Sequence, residues 1–175
     1  MYLVYNQKHH ILIEGGNNDY RTRPPDDEPI DRMTARRGAD GAILWSRRGN
    51  FTLPGAVADD RLIPGHPDQV ARSILTGEDL QRLHAAGEGG NWSFSRDYGC
   101  GTFNASTHLL LYRTGYAGFY DLEHESGSGS FGGFRSGCTS NLIAADGVLN
   151  ALDYTRTCTC SYAHQTSLAL VHMPG

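Results

Sequence analysis

The four cysteines are the residues of this chain best suited to chemistry, and all of them lie in its second half. They are Cys100, Cys138, Cys158 and Cys160. On a strand, Cys158 and Cys160 would point to the same face, because side chains alternate along a strand. The spacing lacks the close cysteine pairs of structural zinc sites and the Cys-x-x-Cys-His motif of covalent haem. We predict two structural disulfides, in any of three pairings, rather than a metal site.

The other chemistry-bearing residues form no recognisable motif. The eight histidines are scattered along the chain, and the acidic segment Asp26–Glu28 with Asp31 lacks the spacing of an EF-hand calcium loop. No serine-histidine-aspartate order and no glycine-rich phosphate loop is present. The sequence therefore assigns no catalytic, cofactor-binding or metal-ligating residue.

Composition excludes two classes of partner. The chain has 175 residues, a net charge of −4 and a single lysine, Lys8. A protein that binds nucleic acid by neutralising phosphates needs a basic face, and a polybasic membrane anchor needs clustered lysines or arginines. No apolar run approaches the roughly 18 residues of a spanning helix. We predict neither a nucleic-acid partner nor a membrane span.

Cysteine usage favours an extracytoplasmic protein, periplasmic or extracellular. The first residues, Met1–Tyr5, instead predict a strand and lack the basic and apolar regions of a secretory signal. We interpret the chain as part of a longer protein, or as one whose leader is absent from this sequence.

Hydrophobic patterning predicts an all-β fold. Short apolar runs alternate with turns rich in Gly, Asp, Asn and Pro, which is typical of a sandwich, barrel or propeller. The predicted strands include 3–5, 11–13, 42–45, 109–112, 118–120, 148–152 and 166–172. Weak helical patterns cover 67–75 and 77–86, and loop insertions are predicted at 20–39 and 125–133.

A recurring phrase favours the propeller. A small residue, a polar turn and an apolar strand follow one another at 57–63, 104–110 and 144–149, with a degenerate copy at 6–12. Ala58, Ala105 and Ala145 mark the copies, 47 and 40 residues apart. We predict that each phrase is the first hairpin of a sheet, followed by a further strand at 71–75, 117–122 and 162–172.

The 40- to 47-residue spacing of the copies matches a four-stranded propeller blade, while a plain β-sandwich is the alternative. Residues 1–175 would then form one domain of three to four antiparallel, blade-like repeats.

Two segments resemble the blade signature of quinoprotein-like β-propellers. Residues 40–45 (Asp-Gly-Ala-Ile-Leu-Trp) resemble the Asp-x-x-Thr-Gly-x-x-x-Trp signature that closes each blade, and Ile74–Glu78 resembles another copy without its tryptophan. The cysteine-bearing half, 91–174, resembles a blade pair in large propeller proteins of planctomycete-type bacteria. The matching pieces there include 98–101, 118–122, 132–135, 137–141 and 158–162.

The resemblance implies a fold more firmly than an activity. Quinoprotein dehydrogenases hold pyrroloquinoline quinone and Ca²⁺ on the propeller axis beneath a disulfide of two adjacent cysteines. This chain has no adjacent pair, since Cys158 and Cys160 are separated by one residue, and about four blades are too few for such a ring. The resemblance implies a non-catalytic scaffold without a cofactor. The alternative is a redox domain of a quinoprotein-like dehydrogenase.

An open set of blades predicts association. Unclosed sheets expose strand edges and apolar faces, which proteins normally pair or cover. We expect the chain to self-associate or to join a larger protein assembly, through the apolar terminal segments Tyr2–Tyr5 and Ser167–His172. Contacts that do not close into a ring would give a filament.

Overall fold

A computed structural model of the chain describes residues 2–15, 32–48, 55–65, 70–81, 92, 94, 99–137, 141–152, 167–171 and 173. All regular secondary structure within these residues is β-strand, arranged in four antiparallel sheets. The predicted all-β, blade-like fold class is thereby confirmed. A helix with the length and apolarity to cross a membrane does not occur in this part of the chain.

Each sheet is built from strands that follow one another in the sequence, as in a propeller blade. Sheet 1 contains β1 (Tyr2–Asn6), β2 (Ile11–Gly15), β3 (Arg32–Arg37) and β4 (Ile43–Arg48). Sheet 2 contains β5 (Ala56–Ala58), β6 (Arg61–Ile63) and β7 (Arg72–Ser73). Sheet 3 contains β8 (Phe103–Ala105), β9 (Leu109–Arg113), β10 (Ala117–Asp121) and β11 (Gly127–Ser130). Sheet 4 contains β12 (Leu142–Ala145), β13 (Val148–Ala151) and β14 (Leu168–Val171).

The four sheets belong to two compact units. Unit 1, Met1–Ser95, holds sheets 1 and 2, and unit 2, Arg96–Gly175, holds sheets 3 and 4. The sequence predicts a single domain of repeats and did not anticipate this division.

The recurring phrase forms the first hairpin of every sheet, as predicted. These hairpins are β1–β2, β5–β6, β8–β9 and β12–β13. Three of their turns contain a non-glycine residue with positive φ, namely His10 at 51°, Asp59 at 50° and Asp146 at 51°. Asp and His enter this left-handed region more readily than most residues, which explains why polar residues mark the turns.

The predicted loop at 20–39 is wrong over Arg32–Arg37, which form β3 between β2 and β4. Met33 and Ala35 are fully buried on one face of the strand. On the other face, the Arg36 guanidinium lies 2.8 Å from the Glu14 carboxylate of β2. Backbone pairing with β2 and β4 stabilises this segment as a strand, although its charged residues alone indicate a loop. Residues 20–31 lie outside the described ranges.

The predicted loop at 125–133 is wrong over Gly127–Ser130, which form β11 at the edge of sheet 3. The backbone of Gly129 lies against the ring of Phe119 in β10, and a Cβ there would come within 2.5 Å of the ring's Cζ. Glycine thus lets the edge strand approach an aromatic side chain, so a composition typical of a flexible loop forms a strand.

The weak helical patterns at 67–75 and 77–86 are wrong over their described residues. β7 is followed by a turn, and the Ser73 N–H donates to the Glu78 carbonyl at 2.9 Å. The chain then runs back along β7, which covers residues 72–73 of the predicted strand at 71–75. These residues therefore form a strand and a turn, because a helix of this length would be too short to be stable on its own.

Sheets 1 and 2 pack through a core that includes Trp45 of β4. Its indole Nε1 donates to the Ile74 carbonyl at 2.8 Å, and its ring lies on the backbone of Gly77. The two segments that resemble the blade signature are therefore in direct contact, one supplying the tryptophan and the other the turn that receives it. The remaining buried members of this core are Ile11, Ile13, Met33, Ala35, Leu62 and Ile74.

Sheets 3 and 4 pack through a smaller core. Its buried members are Leu111, Ala117, Leu142 and Ala151. The Asn104 side chain of β8 donates to the Leu142 carbonyl of sheet 4 at 3.2 Å. In unit 1 the Asn6 side chain donates to the Asp59 carbonyl of sheet 2 at 2.8 Å. Both units therefore join their two sheets through an asparagine of the first strand.

Candidate functional site

An open groove of about 590 Å³ lies in unit 2 and is lined by residues of sheets 3 and 4. The β8–β9 turn and the β12–β13 turn lie at one end of it. Its lining residues are Ser106, Thr107, His108, Leu109, Leu111, Phe131, Phe134, Ala144, Ala145, Asp146, Gly147, Val148, Leu149, Leu170 and Val171. Most of these side chains are apolar, so the groove suits an apolar ligand oriented by a few polar groups.

The wall from sheet 3 is aromatic. Phe131 packs against Phe119 with ring centroids 4.8 Å apart, and stacks against Phe134 at 6.3 Å. Phe131 follows the edge strand β11 and stays 42% exposed. Offset and tilted rings of this kind offer a large contact area that needs little ordering on binding.

The strands that form the wall from sheet 4 carry no charge. None of the residues in β12, β13 and β14 is ionisable, and Asn150 is the sole polar side chain among them. Leu170 and Val171 nevertheless remain 39% and 60% exposed. Solvent-facing strands at a sheet edge usually carry charges that prevent unwanted pairing. An uncharged, exposed edge strand is therefore a surface suited to contact with another molecule.

Two ionisable side chains line the groove at its polar end. His108 Nδ1 lies 3.0 Å from a carboxylate oxygen of Glu123. Asp146 occupies the turn between β12 and β13, is exposed, and forms no ion pair with the described residues. A ligand with an apolar body and one positive charge would match this distribution.

The corresponding end of unit 1 is bridged by the chain's own side chains. Asp60, in the β5–β6 turn, accepts from Lys8 at 2.9 Å and pairs with His9 at 2.6 Å. The hydrogen bonds from His9 and then Lys8 hold the pKa of Asp60 below its ordinary value. In the β12–β13 turn of unit 2, Gly147 takes the place of Asp60 and provides no side chain for such a bridge.

No protein-family model matches the chain, and no curated protein matches it. Among solved structures, the chain is similar to BamB from Moraxella catarrhalis, with 13% sequence identity and a TM-score of 0.48. The match covers 85% of this chain and 45% of the BamB chain, so the chain spans less than half of that protein's length. The four antiparallel sheets themselves, rather than this match, define the fold described above.

Of the predicted disulfide residues, Cys100 lies within the described part of the chain. Its thiol is exposed and free. Cys138, Cys158 and Cys160 lie outside the described residues, so the pairing of the four cysteines stays a prediction. The alternative cofactor, pyrroloquinoline quinone with Ca²⁺, is likewise untested.

The described histidines have separate local partners, as their scattered positions suggested. The side chain of His10 bonds to Tyr5, and that of His124 lies 3.1 Å from Asp121. The described residues include no group of three His, Cys, Asp or Glu side chains placed to hold a metal ion. The acidic segment at 26–31 lies outside the described ranges.

Sequence reasoning did not predict the groove. The contact element expected from the sequence that belongs to the groove is the last strand, within Ser167–His172. The uncharged strands 142–145 and 148–151, next to that contact segment, were the available signal.

Proposed function

We propose that this chain is a non-catalytic, extracytoplasmic scaffold module of the β-propeller type that self-associates or joins a larger protein assembly. The observation that carries the proposal is that the strands of sheet 4 contain no charged residue and yet expose apolar side chains beside the groove. Contiguous exposed apolar surface of this kind marks protein-contact sites in soluble proteins.

The first strand supports the same proposal. β1 is also an uncharged edge strand, and its Leu3 is 58% exposed. Burying apolar surface contributes about 25 cal/mol per Å², so covering such strands against another protein is favourable. Edge strands additionally offer backbone groups to a further strand.

Sedimentation velocity of the purified chain, from about 1 to about 100 µM, tests self-association in the range expected for transient contacts. We expect a mass above the 19.1 kDa monomer that rises with concentration. Val171→Glu places a charge on the exposed edge and is expected to shift the distribution toward monomer. Ala39→Glu, on an exposed turn of unit 1, is the matched control and is expected to behave as the parent.

The proposal would be contradicted by a chain that remains monomeric throughout and also fails to enhance the fluorescence of an apolar dye such as anilinonaphthalene sulfonate. That pair of results would mean that the apolar strands are not available for contact.

A further inference from the structure

The groove in unit 2 borders two hairpin turns whose counterparts in unit 1 are joined by the protein's own side chains. In unit 1, Lys8 and His9 reach across to Asp60 between the hairpin turns, and Trp45 of the fourth strand fills the space between the sheets. In unit 2, Gly147 replaces Asp60, and the fourth strand, Gly127–Ser130, carries nothing larger than serine. Unit 2 thus lacks this ionic bridge and has no counterpart of Trp45 on its fourth strand, while its own aromatic side chains, Phe131 and Phe134, line one wall of the groove.

We propose that this groove binds an extended segment of a partner protein, which inserts one bulky apolar side chain and places a lysine or arginine beside Asp146. The inference rests on the proposed function and specifies the site and the chemistry of the partner. The bound segment would supply from outside the two features that unit 1 supplies from within.

The apolar anchor follows from the shape and lining of the groove. Its volume of about 590 Å³ exceeds that of any single side chain, so an aromatic or long aliphatic residue fits together with part of its flanking backbone. Phe131 and Phe134 form one wall, and Leu149 and Leu170 form the other. Large side chains buried in such pockets supply most of the free energy of binding at protein interfaces.

The extended conformation follows from β14. This strand pairs with β13 on one side, and within the described residues its other edge has no strand beside it. Leu170 and Val171 of the same strand line the groove. A segment added to this edge would form backbone hydrogen bonds along β14 while its alternate side chains enter the groove.

The positive charge follows from the two ionisable residues that line the groove. His108 already has a carboxylate partner in Glu123, whereas Asp146 has none in the described residues. Complementary charge at the rim of an apolar site adds specificity more than affinity. The cation is therefore expected to discriminate among segments that share the same apolar anchor.

Fluorescence anisotropy of a labelled synthetic peptide tests the proposal on the full chain. The probe alternates valine and threonine around one central tryptophan and carries a lysine next to the tryptophan. Saturable binding is expected at about 10–100 µM, in the range of weak peptide recognition. Ala145→Trp fills the groove from its exposed rim and is expected to weaken binding at least about tenfold. Ala42→Trp, an exposed alanine of unit 1, is the matched control and is expected to leave binding unchanged.

Asp146→Asn tests the charge and keeps the turn, because asparagine tolerates the positive φ of this position. It is expected to weaken the lysine peptide about three- to tenfold and to leave a glutamine version of the peptide unaffected. Circular dichroism of each variant checks that the sheets are intact.

Failure of the parent to bind either peptide at about 1 mM overturns the inference, as does equal binding by the parent and Ala145→Trp. Self-association with no peptide binding would also overturn it, while leaving the scaffold function in place. Peptide binding by a strictly monomeric chain would support the groove and argue against self-association.

Discussion

Trp45 shows how single residues set the packing of these sheets. Its ring lies on the backbone of Gly77, whose φ of 70° is in the left-handed region. A Cβ at this glycine would lie 2.7 Å from the indole ring. Glycine is therefore required here for two reasons, the turn conformation and the approach of the ring.

We predict that Gly77→Ala destabilises the protein by more than Gly41→Ala does. Both glycines have a positive φ, which costs an alanine about 1–2 kcal/mol, but Gly41 has open space around it. The clash with Trp45 should add at least about 1 kcal/mol to the cost at Gly77. Urea unfolding of the two variants measures the difference. Equal losses would show that the indole does not press on the glycine.

The β10–β11 connection depends on one carboxylate. Asp121 accepts hydrogen bonds from the backbone N–H groups of Glu123 and His124 at 3.0 Å, and from the Ser126 hydroxyl at 2.7 Å. The bond from the His124 backbone, followed by that from Ser126, lowers the pKa of Asp121 to about 2. The charged carboxylate thus fixes the turn that places β11 beside β10.

We predict that Asp121→Ala lowers the free energy of unfolding near neutral pH and that this effect disappears in acid. The pKa of Asp121 is lower in the folded state, so its contribution is fully present above the ordinary aspartate pKa of about 3.9. It is lost as the pH falls through the folded value of about 2. Urea titrations of both proteins between pH 7 and pH 2 measure the difference. A difference that stays constant with pH would mean that the ionised carboxylate is not what stabilises the turn.

The hairpins were predictable from the sequence, as were the segments that form β4, β7, β10 and β14, whereas β3 and β11 were not. A turn residue followed by an apolar run is a local signal, and each of the four phrases formed its hairpin. β3 and β11 are strands because a neighbouring strand already offers backbone partners and a buried face. Met33 of β3 is fully buried, and Gly129 of β11 leaves room for the ring of Phe119 on the neighbouring strand β10.

At the scale of the whole molecule, we predict that disulfides connect the blade-like repeats. Cys100 is exposed, so another cysteine can reach its thiol without opening a core. A bridge that ties the last repeat to its neighbour closes a loop of tens of residues, and such a bridge stabilises a protein by roughly 3–4 kcal/mol.

We predict that protein prepared under oxidising conditions contains no free thiol once it is denatured. Cys100→Ser removes one member of a pair and should leave one reactive thiol. Thiol titration in denaturant, with and without a reducing agent, measures both. Four reactive thiols in the unreduced parent, or zinc released on acidification, would show that the cysteines do not form disulfides.

The sequence by itself determined the features that depend on neighbours along the chain. The all-β class, the hairpins and the repeat follow from alternation, turn residues and spacing. The resemblance of residues 40–45 and Ile74–Glu78 to a blade signature was also visible in the sequence, while the contact between the two segments was not.

Only the tertiary structure decided the features that depend on residues distant in sequence. The division into two units, the strands at Arg32–Arg37 and Gly127–Ser130, and the groove between sheets 3 and 4 belong to this group. The groove lies beside Gly147, which has no side chain where Asp60 forms ion pairs in unit 1. A missing side chain leaves no pattern of its own in a sequence, and its effect appears only when two sheets are packed together.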